Sequence, residues 1–325
     1  MSHPLPVAVV GAGSFGQNHL RVLKEIPGVT LAGLFDTDSK RAAEMGTRFG
    51  CPAFSSLEEA AHAAEAAIVA VPTVFHADVA GALMKLGLDV LIEKPIAASV
   101  EEARNLIELA KFHGRILQVG HLERYNPALL ALRGEITLPL FFEIHRMSLF
   151  TPRSLDIDVV LDLMIHDLDI VLSAVGELPE EIRASGIQIL SGKVDIANVR
   201  LSFPGGCVAN LTASRVSTDK VRKLRLFQPH QYYSVDYTRR EGVVFEVDRQ
   251  DRRIAVRQLD VQPGEPLRLE LEDFVACVRE RRTPMVDGEA ACRALKVAHE
   301  ILDKIEQHGQ LVERSVLAYE AKSPR

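Results

Sequence analysis

Between an apolar run at Val7–Val10 and an amphipathic stretch beginning at Ser14 lies the segment Gly11-Ala12-Gly13-Ser14-Phe15-Gly16. Few segments this short restrict a fold so tightly. The first glycine permits a tight turn out of a strand, and the second leaves the backbone open to a pyrophosphate. The third lets the next helix pack against the strand. That helix's N-terminus then offers N–H groups and a positive dipole end to phosphate. Asp36 ends the next apolar run, Leu31–Phe35, 20 residues after Gly16. A carboxylate at that spacing meets the adenosine ribose. The pattern predicts a dinucleotide seat made of Gly11, Gly13, Ser14, Phe15, Gly16 and Asp36; an incidental Gly-rich turn is the alternative. A carboxylate repels a 2′-phosphate, which favours NAD. Lys40 and Arg41 follow closely and soften that preference, so NADP stays open.

The same grammar continues through the first third of the chain. Strands are expected at Val7–Val10, Leu31–Phe35, Ala67–Val71, Val90–Ile92 and Ile116–Val119. Helices are expected at Ser14–Ile26, from Ser39, at His76–Leu86, and from an N-cap at Ser99 to His113. Alternation of this kind predicts a doubly wound parallel sheet covered on both faces. After residue 121 the pattern changes. Strand-like runs at 140–148, 183–190, 197–203, 207–214, 221–227, 232–236 and 243–247 follow with few helices between them. Phe203-Pro204-Gly205-Gly206 reads as a hairpin turn. An open, mainly antiparallel sheet is expected there, with helices at 157–174, 268–281 and 288–307. The chain is therefore read as α/β throughout: a dinucleotide-binding domain over 1–121 and a second α/β domain over 122–325.

Bulk properties exclude several roles. Of 325 residues, 47% are hydrophobic and 25% charged, as in globular proteins, and the length suggests two cores. Residues 1–121 carry 10 Lys and Arg against 13 Asp and Glu, and the remainder 28 against 31. Neither part is basic, so nucleic acid is not expected as a partner. No apolar stretch reaches membrane-spanning length, and the start lacks the charged and apolar regions of a signal peptide. Cys51, Cys207, Cys277 and Cys292 show no paired spacing, which fits reduced thiols in a cytoplasm better than disulfides or zinc.

Other polar residues invite a site, each beside a plainer reading. Pro72 ends a strand and Thr73 is placed to cap the helix containing His76, so these three either touch cofactor or merely make a turn. Lys94 follows the apolar run Val90-Leu91-Ile92, at the edge where open α/β sheets hold ligands. An ammonium there binds a substrate oxygen or acts as a base; a surface lysine is the alternative. Glu93 and Pro95 flank it, and Pro95 is expected to hold the following chain extended. Asp162 and His166 lie four apart in the apolar 157–174 segment, hence on one helical face, with Asp158 and Asp169 near the same stripe. They suit catalysis, or else a core histidine paired with a carboxylate. No second cluster completes a metal shell. Arg124, Tyr125 and Asn126 follow the last strand of the first domain, where substrate binding competes with a solvated loop; Arg153 is similar. Basic pairs at 222–225, 239–240 and 252–253 read as solvated strand faces.

In this order, Gly11-x-Gly13-x-x-Gly16, Val71-Pro72 with His76, Glu93-Lys94-Pro95, Asp162-x-x-x-His166-x-x-Asp169 and the Asp273-Phe274 to Pro284 segment resemble the Gfo/Idh/MocA family of NAD(P)-dependent oxidoreductases. The resemblance spans nearly the whole chain. It implies an N-terminal Rossmann domain and a C-terminal domain whose open sheet forms dimer or tetramer contacts. It also implies Lys94 and His166 as the polar pair at the reacting carbinol, with Asp162 contacting or orienting substrate. Glu93 and His121 join the cofactor residues on the same ground. Where the family often has glycines around this Asp, the chain has Val159-Val160-Leu161 and Leu163-Met164-Ile165, a departure that bears on the pocket's shape. The stretches Val119–Pro127 and Leu161–Asp169 look most like members that oxidise UDP-N-acetylglucosamine at C3. A dehydrogenase of a free sugar or inositol, a non-catalytic NAD(P)-binding regulator, and a lyase or glycosidase using NAD transiently are the alternatives.

Overall fold

A computed structural model describes residues 3–150 and 157–322. The N-terminal part runs β1 (Leu5–Val10), α1 (Ser14–Leu23), β2 (Val29–Phe35), α2 (Ser39–Phe49), α3 (Leu57–Ala63), β3 (Ala66–Val69), α4 (His76–Lys85), β4 (Asp89–Glu93), α5 (Val100–His113) and β5 (Leu117–Gly120). The five strands form a parallel sheet in the order β2-β1-β3-β4-β5. Helices on both faces explain why β3 is apolar and buried along its whole length instead of alternating. Local chemistry sets the helix ends. The Asp38 side chain accepts from the amides of Lys40 and Arg41 to start α2, and Ser99 accepts from Glu102 to start α5, as expected. Gly50 and Gly114 close those helices in the left-handed conformation. The strand order reverses between β1 and β3, and such a switch point opens a crevice at the strands' carboxyl ends.

A second compact unit contains residues 126–263 and 293–325. It begins with α6 (Pro127–Arg133) and β6 (Phe141–Leu149). A π-helical turn at Val160–Met164 then leads into α7 (Ile165–Val175). Seven strands follow: β7 (Glu181–Ile187), β8 (Ile196–Ser202), β9 (Val208–Ser217), β10 (Val221–Gln228), β11 (Gln231–Asp236), β12 (Glu241–Val247) and β13 (Ile254–Gln258). The eight-stranded sheet is ordered β13-β12-β11-β10-β6-β9-β8-β7, and every pairing is antiparallel except β6 with β9. Strand alternation puts Phe142, Ile144, Leu224 and Leu226 into a core shared with α7. The opposite face carries a ladder of rings, with Phe141–Phe227, Phe227–Tyr232 and Tyr232–Phe245 centroids 5.8, 4.7 and 5.3 Å apart. The Phe203–Gly206 turn joins β8 to β9; the Gly206 amide donates to the Phe203 carbonyl (2.8 Å). Two of the basic pairs differ from expectation. Arg240 and Arg252 occupy turns with positive φ, where they reverse the chain between paired strands.

The closing segment is α8 (Pro266–Glu280) and α9 (Gly288–Lys322). Residues 264–292 return to the first unit, so a single cut at 121 does not describe the division. Leu271, Phe274, Val275 and Val278 of α8 fill the same core as Val7, Val9 and Leu91. The Val119 amide donates to the Val286 carbonyl (3.0 Å), which continues the sheet beyond β5. This apolar face of α8 is legible in the sequence, but its partner is not. Among the described residues, no helix is long and apolar enough to cross a membrane.

Candidate active site

The glycine loop fits a dinucleotide on steric grounds. A Cβ at Gly16 would stand 1.9 Å from the Gly11 carbonyl oxygen, so helix and turn touch with no room for a side chain. Gly11 has φ +95°, and a Cβ there would meet the Ala70 carbonyl at 2.4 Å. Gly13 differs: a Cβ would meet nothing within 4 Å. The protein itself does not need glycine at 13, which leaves open space beside the N-terminus of α1, where pyrophosphate approaches. Gly13 is the N-cap of α1 and no side chain caps that end, so the first-turn amides face the same space. Ser14 and Phe15 open the helix, and Phe15 is 60% exposed beside this gap.

Asp36, at the end of β2, is buried and densely bonded. Its Oδ2 accepts from the Ala12 amide (2.7 Å) and Arg41 Nε (2.9 Å). Its Oδ1 accepts from the Asp38 amide (2.9 Å) and Arg41 Nη2 (2.7 Å). Burial pushes the carboxyl's pKa up. The Arg41 fork and the two amides outweigh that and hold it below the ordinary range. The carboxylate expected to meet the ribose is thus ionised and pre-oriented.

His76 stands between the ends of β3 and β4. Its buried ring lies 2.8 Å from the Pro95 carbonyl through Nδ1 and 2.9 Å from the Val71 carbonyl through Nε2. Burial lowers its pKa, against the pull of both carbonyls. Thr73 does not cap α4 as expected; Pro72 leads into a short 3-10 turn at Thr73–Phe75 that runs into the helix. The Lys94–Pro95 peptide is cis and residues 94–96 bend, where an extended course was expected. Proline's tertiary amide makes this isomer accessible.

Beside Lys94, Glu93 accepts from His19 Nε2 (2.7 Å). Burial raises the Glu93 carboxyl; His19 and Lys94 outweigh it and hold it low. A Cβ on Gly120 would stand 3.1 Å from Glu93 Oε2, so the glycine makes room for this carboxylate. Glu270 of α8 is fully buried, and burial, then the charges of Glu93 and Asp273, push its pKa well up. Sequence reasoning missed His19 and Glu270. Each is a single polar residue on an apolar helix face, and such a position shows its partner only after folding. His121 follows directly after β5 and is buried.

In the second unit, Asp162 lies in the π-helical turn and His166 in the first turn of α7, both half-buried. The regular helix expected over 157–174 is therefore wider at the residue of interest, as π-turns often are at functional positions. The Asp162 amide donates to the Asp158 carbonyl (2.9 Å), and the Asp158 carboxylate accepts from Val194 (2.9 Å). Val159, Val160, Met164 and Ile165, the large residues where the family often has glycine, are buried in this unit's core. Next to His166, Asp167 forms a fully buried two-pronged pair with Arg146 of β6 (2.8 and 2.7 Å). Asp169 is buried one turn along.

The three residues after β5 are committed to structure more than expected. Tyr125 donates its hydroxyl to Asp273 (2.7 Å), and burial raises its pKa. Asn126 caps α6 through the Ala128 amide (3.2 Å) and donates to the Tyr237 carbonyl (3.1 Å). Arg124 donates to the Met285 carbonyl (3.2 Å). Buried polar groups need such partners. Arg153 lies outside the described residues.

A parallel sheet with a glycine loop at its switch point and an acid at the end of β2 defines a dinucleotide-binding fold. Residues 5–121 match the Gfo/Idh/MocA oxidoreductase family with its NAD-binding Rossmann fold, and residues 139–230 match the Gfo/Idh/MocA C-terminal domain. The chain is 36% identical over 307 residues to UDP-N-acetylglucosamine 3-dehydrogenase of Acidithiobacillus ferrooxidans, covering 92% of this chain and 96% of the relative. The solved structure of that organism's UDP-N-acetylglucosamine 3-dehydrogenase GnnA superposes with a TM-score of 0.89 at 35% identity, over 94% of this chain and 99% of that one. The scyllo-inositol 2-dehydrogenase (NAD(+)) of Bacillus subtilis is 26% identical, over 91% of this chain and 93% of the relative. The chain belongs to the Gfo/Idh/MocA family of oxidoreductases. It is a dehydrogenase with NAD as its cofactor.

Proposed function

We propose that the chain oxidises the C3 hydroxyl of UDP-N-acetylglucosamine, or reduces the matching ketone, with NAD. The observation that carries this reading is the near-full-length 36% identity to a UDP-N-acetylglucosamine 3-dehydrogenase, against 26% for an inositol dehydrogenase. Bound NAD supplies the hydride acceptor. The protein's part is to hold substrate and take the hydroxyl proton. Lys94 and His166 are the groups suited to this: one takes the proton while the other steadies the oxygen as charge develops. Asp162 contacts or orients the sugar. The glycine loop with Ser14 and Phe15 holds pyrophosphate, Asp36 meets the adenosine ribose, and Pro72, Thr73, Glu93 and His121 border the cofactor. His76 acts by keeping the turns after β3 and β4 in register. Arg124, Tyr125 and Asn126, which follow β5, are the further candidates for holding substrate.

The ring ladder on the open face of the second unit's sheet supports self-association as a homodimer or homotetramer, because apolar rings on a broad sheet face gain by being covered. The four free cysteines suit a cytoplasmic setting. The deciding experiment scores NADH formation across UDP-sugars, free sugars and inositols. NADH from UDP-N-acetylglucosamine alone supports the proposal. NADH only from free polyols would sink the sugar-nucleotide assignment, and product without net NADH would favour a lyase-type reaction.

A further inference from the structure

We propose that His19 and Glu270 are positioning residues for Lys94: together they place one negative charge, on Glu93, beside that lysine. The inference rests on the reading of Lys94 given above. Strand register sets the geometry. In the parallel pair of β4 and β5, Leu91 stands opposite Gln118 and Glu93 opposite Gly120. Alternation sends Leu91, Glu93 and Gln118 to one face of the sheet. Leu91 there shares a core with Leu20 and Leu23 of α1 and with Leu271 and Phe274 of α8. His19 and Glu270 come from those two helices, and Gln118 Nε2 donates to the Glu270 main-chain carbonyl (3.1 Å). Polar side chains from α1, β4, β5 and α8 thus meet at the edge of an apolar core. Three of their atoms, His19 Nδ1, Gln118 Oε1 and Glu270 Oε1, are buried without a hydrogen-bond partner. Such atoms cost stability, so packing alone does not account for the cluster.

Two neighbouring carboxyls in such a place do not both ionise readily, and the groups around them decide which one does. Glu93 receives His19 Nε2 (2.7 Å) and has the Lys94 ammonium beside it, with His76 also in its field. Glu270 has no donor at Oε1 and faces the charges of Glu93 and Asp273, with the Tyr125 hydroxyl in the same field. Burial and those two charges push its pKa well up, so Glu270 stays neutral while Glu93 is ionised. His19 therefore selects Glu93 as the charged member, and neutral Glu270 keeps a second charge away from it. The selected charge lies on the residue before Lys94, where it balances and orients the ammonium.

The test combines turnover, labelling and melting in the full chain. His19→Leu removes the donor. With UDP-N-acetylglucosamine and NAD its kcat should fall about tenfold or more while KM stays within about threefold, the scale of losing one charged hydrogen bond. In the same variant an amine reagent should label Lys94 about threefold faster or more at neutral pH, read by mass spectrometry without any substrate. A lysine that has lost its carboxylate gives up its proton more readily. His19→Gln keeps an N–H donor and should restore most of both. Glu270→Gln fixes the neutral form at every pH. A glutamate whose folded pKa is raised loses stability as pH climbs from its unfolded value of about 4.3 toward the folded one. The Tm difference, Glu270→Gln minus wild type, should therefore grow as pH rises. Turnover and labelling both unchanged in His19→Leu, or parallel Tm profiles for Glu270→Gln and wild type, would overturn the inference. Near-normal turnover in Lys94→Ala would instead remove the reading it rests on, whereas an inactive Lys94→Ala beside an unaffected His19→Leu removes only the role of His19 and Glu270.

Discussion

The glycine loop of the first unit and the Asp162–His166 segment of the second do comparable work by different physical means. In the loop, the proposed function rests on absent side chains: Gly16 is needed by the protein's own packing, while at Gly13 a side chain would meet no protein atom. In the Asp162–His166 segment, the proposed function rests on two half-buried polar groups on a helix that otherwise packs largely into the core. A buried ion pair, Arg146–Asp167, stands beside them. The first device is backbone geometry and tolerates few substitutions. The second is held by side-chain contacts from distant strands, so it can be loosened without breaking the fold.

The largest effect should come from the proposed chemistry. Lys94→Ala and His166→Ala should each lower kcat by about 10²- to 10⁴-fold while NADH titration stays near wild type. Near-normal turnover in both would dissolve the functional half of the comparison. The ion pair comes next. Arg146→Met leaves Asp167 buried without its fork and should cost about 3–5 kcal/mol in denaturant unfolding. Arg146→Met with Asp167→Leu should recover much of that loss. If the double variant is no more stable than the single one, side-chain pairing does not hold α7 as argued.

The glycines can be separated from each other. Gly16→Ala forces a contact far below van der Waals distance and should cost about 1–3 kcal/mol of stability. Gly13→Ala should melt like wild type yet bind NADH about tenfold or more weakly, since its methyl fills only the ligand's space. Equal melting losses in both would erase the distinction between a packing glycine and a ligand glycine.

The smallest effect is a pH slope. The folded pKa of His76 lies below its unfolded value of about 6.5, so the unfolded chain binds the extra proton first. The stability tied to the neutral ring is full above that value and drains as pH falls toward the folded pKa. His76→Gln should flatten the Tm profile below about pH 6.5 relative to wild type. An identical slope in the variant would remove His76 from the account.

Much of this was legible beforehand because local rules governed it. Strands and helices of the first unit, the Ser99 cap, the hairpin at Phe203–Gly206 and the place of Asp36 at the end of β2 all follow from patterns within about 20 residues. Differences arose where the partner was distant. Tyr125 found Asp273, 148 residues away, and Asn126 found the Tyr237 carbonyl, 111 residues away. Position along the chain could not separate such anchored groups from free ones. His19 went unnoticed because Glu93 lies 74 residues on. The π-turn at Asp162 has no signature in a largely apolar segment, since large buried residues suit either helix type.

By itself, then, the sequence determined the alternating architecture, the glycine turn after β1 and the chemical identity of Lys94, Asp162 and His166. Those depend on periodicity, glycine sterics and residue type, all of which act over short stretches of chain. Only the tertiary structure decided that Arg41 closes over Asp36 and that His76 stands between two strand ends. It alone brought α8 back to the first core and widened the helix at Asp162. Each of these depends on contacts between residues far apart in sequence, and burial favours the arrangement that pairs polar groups as they leave water.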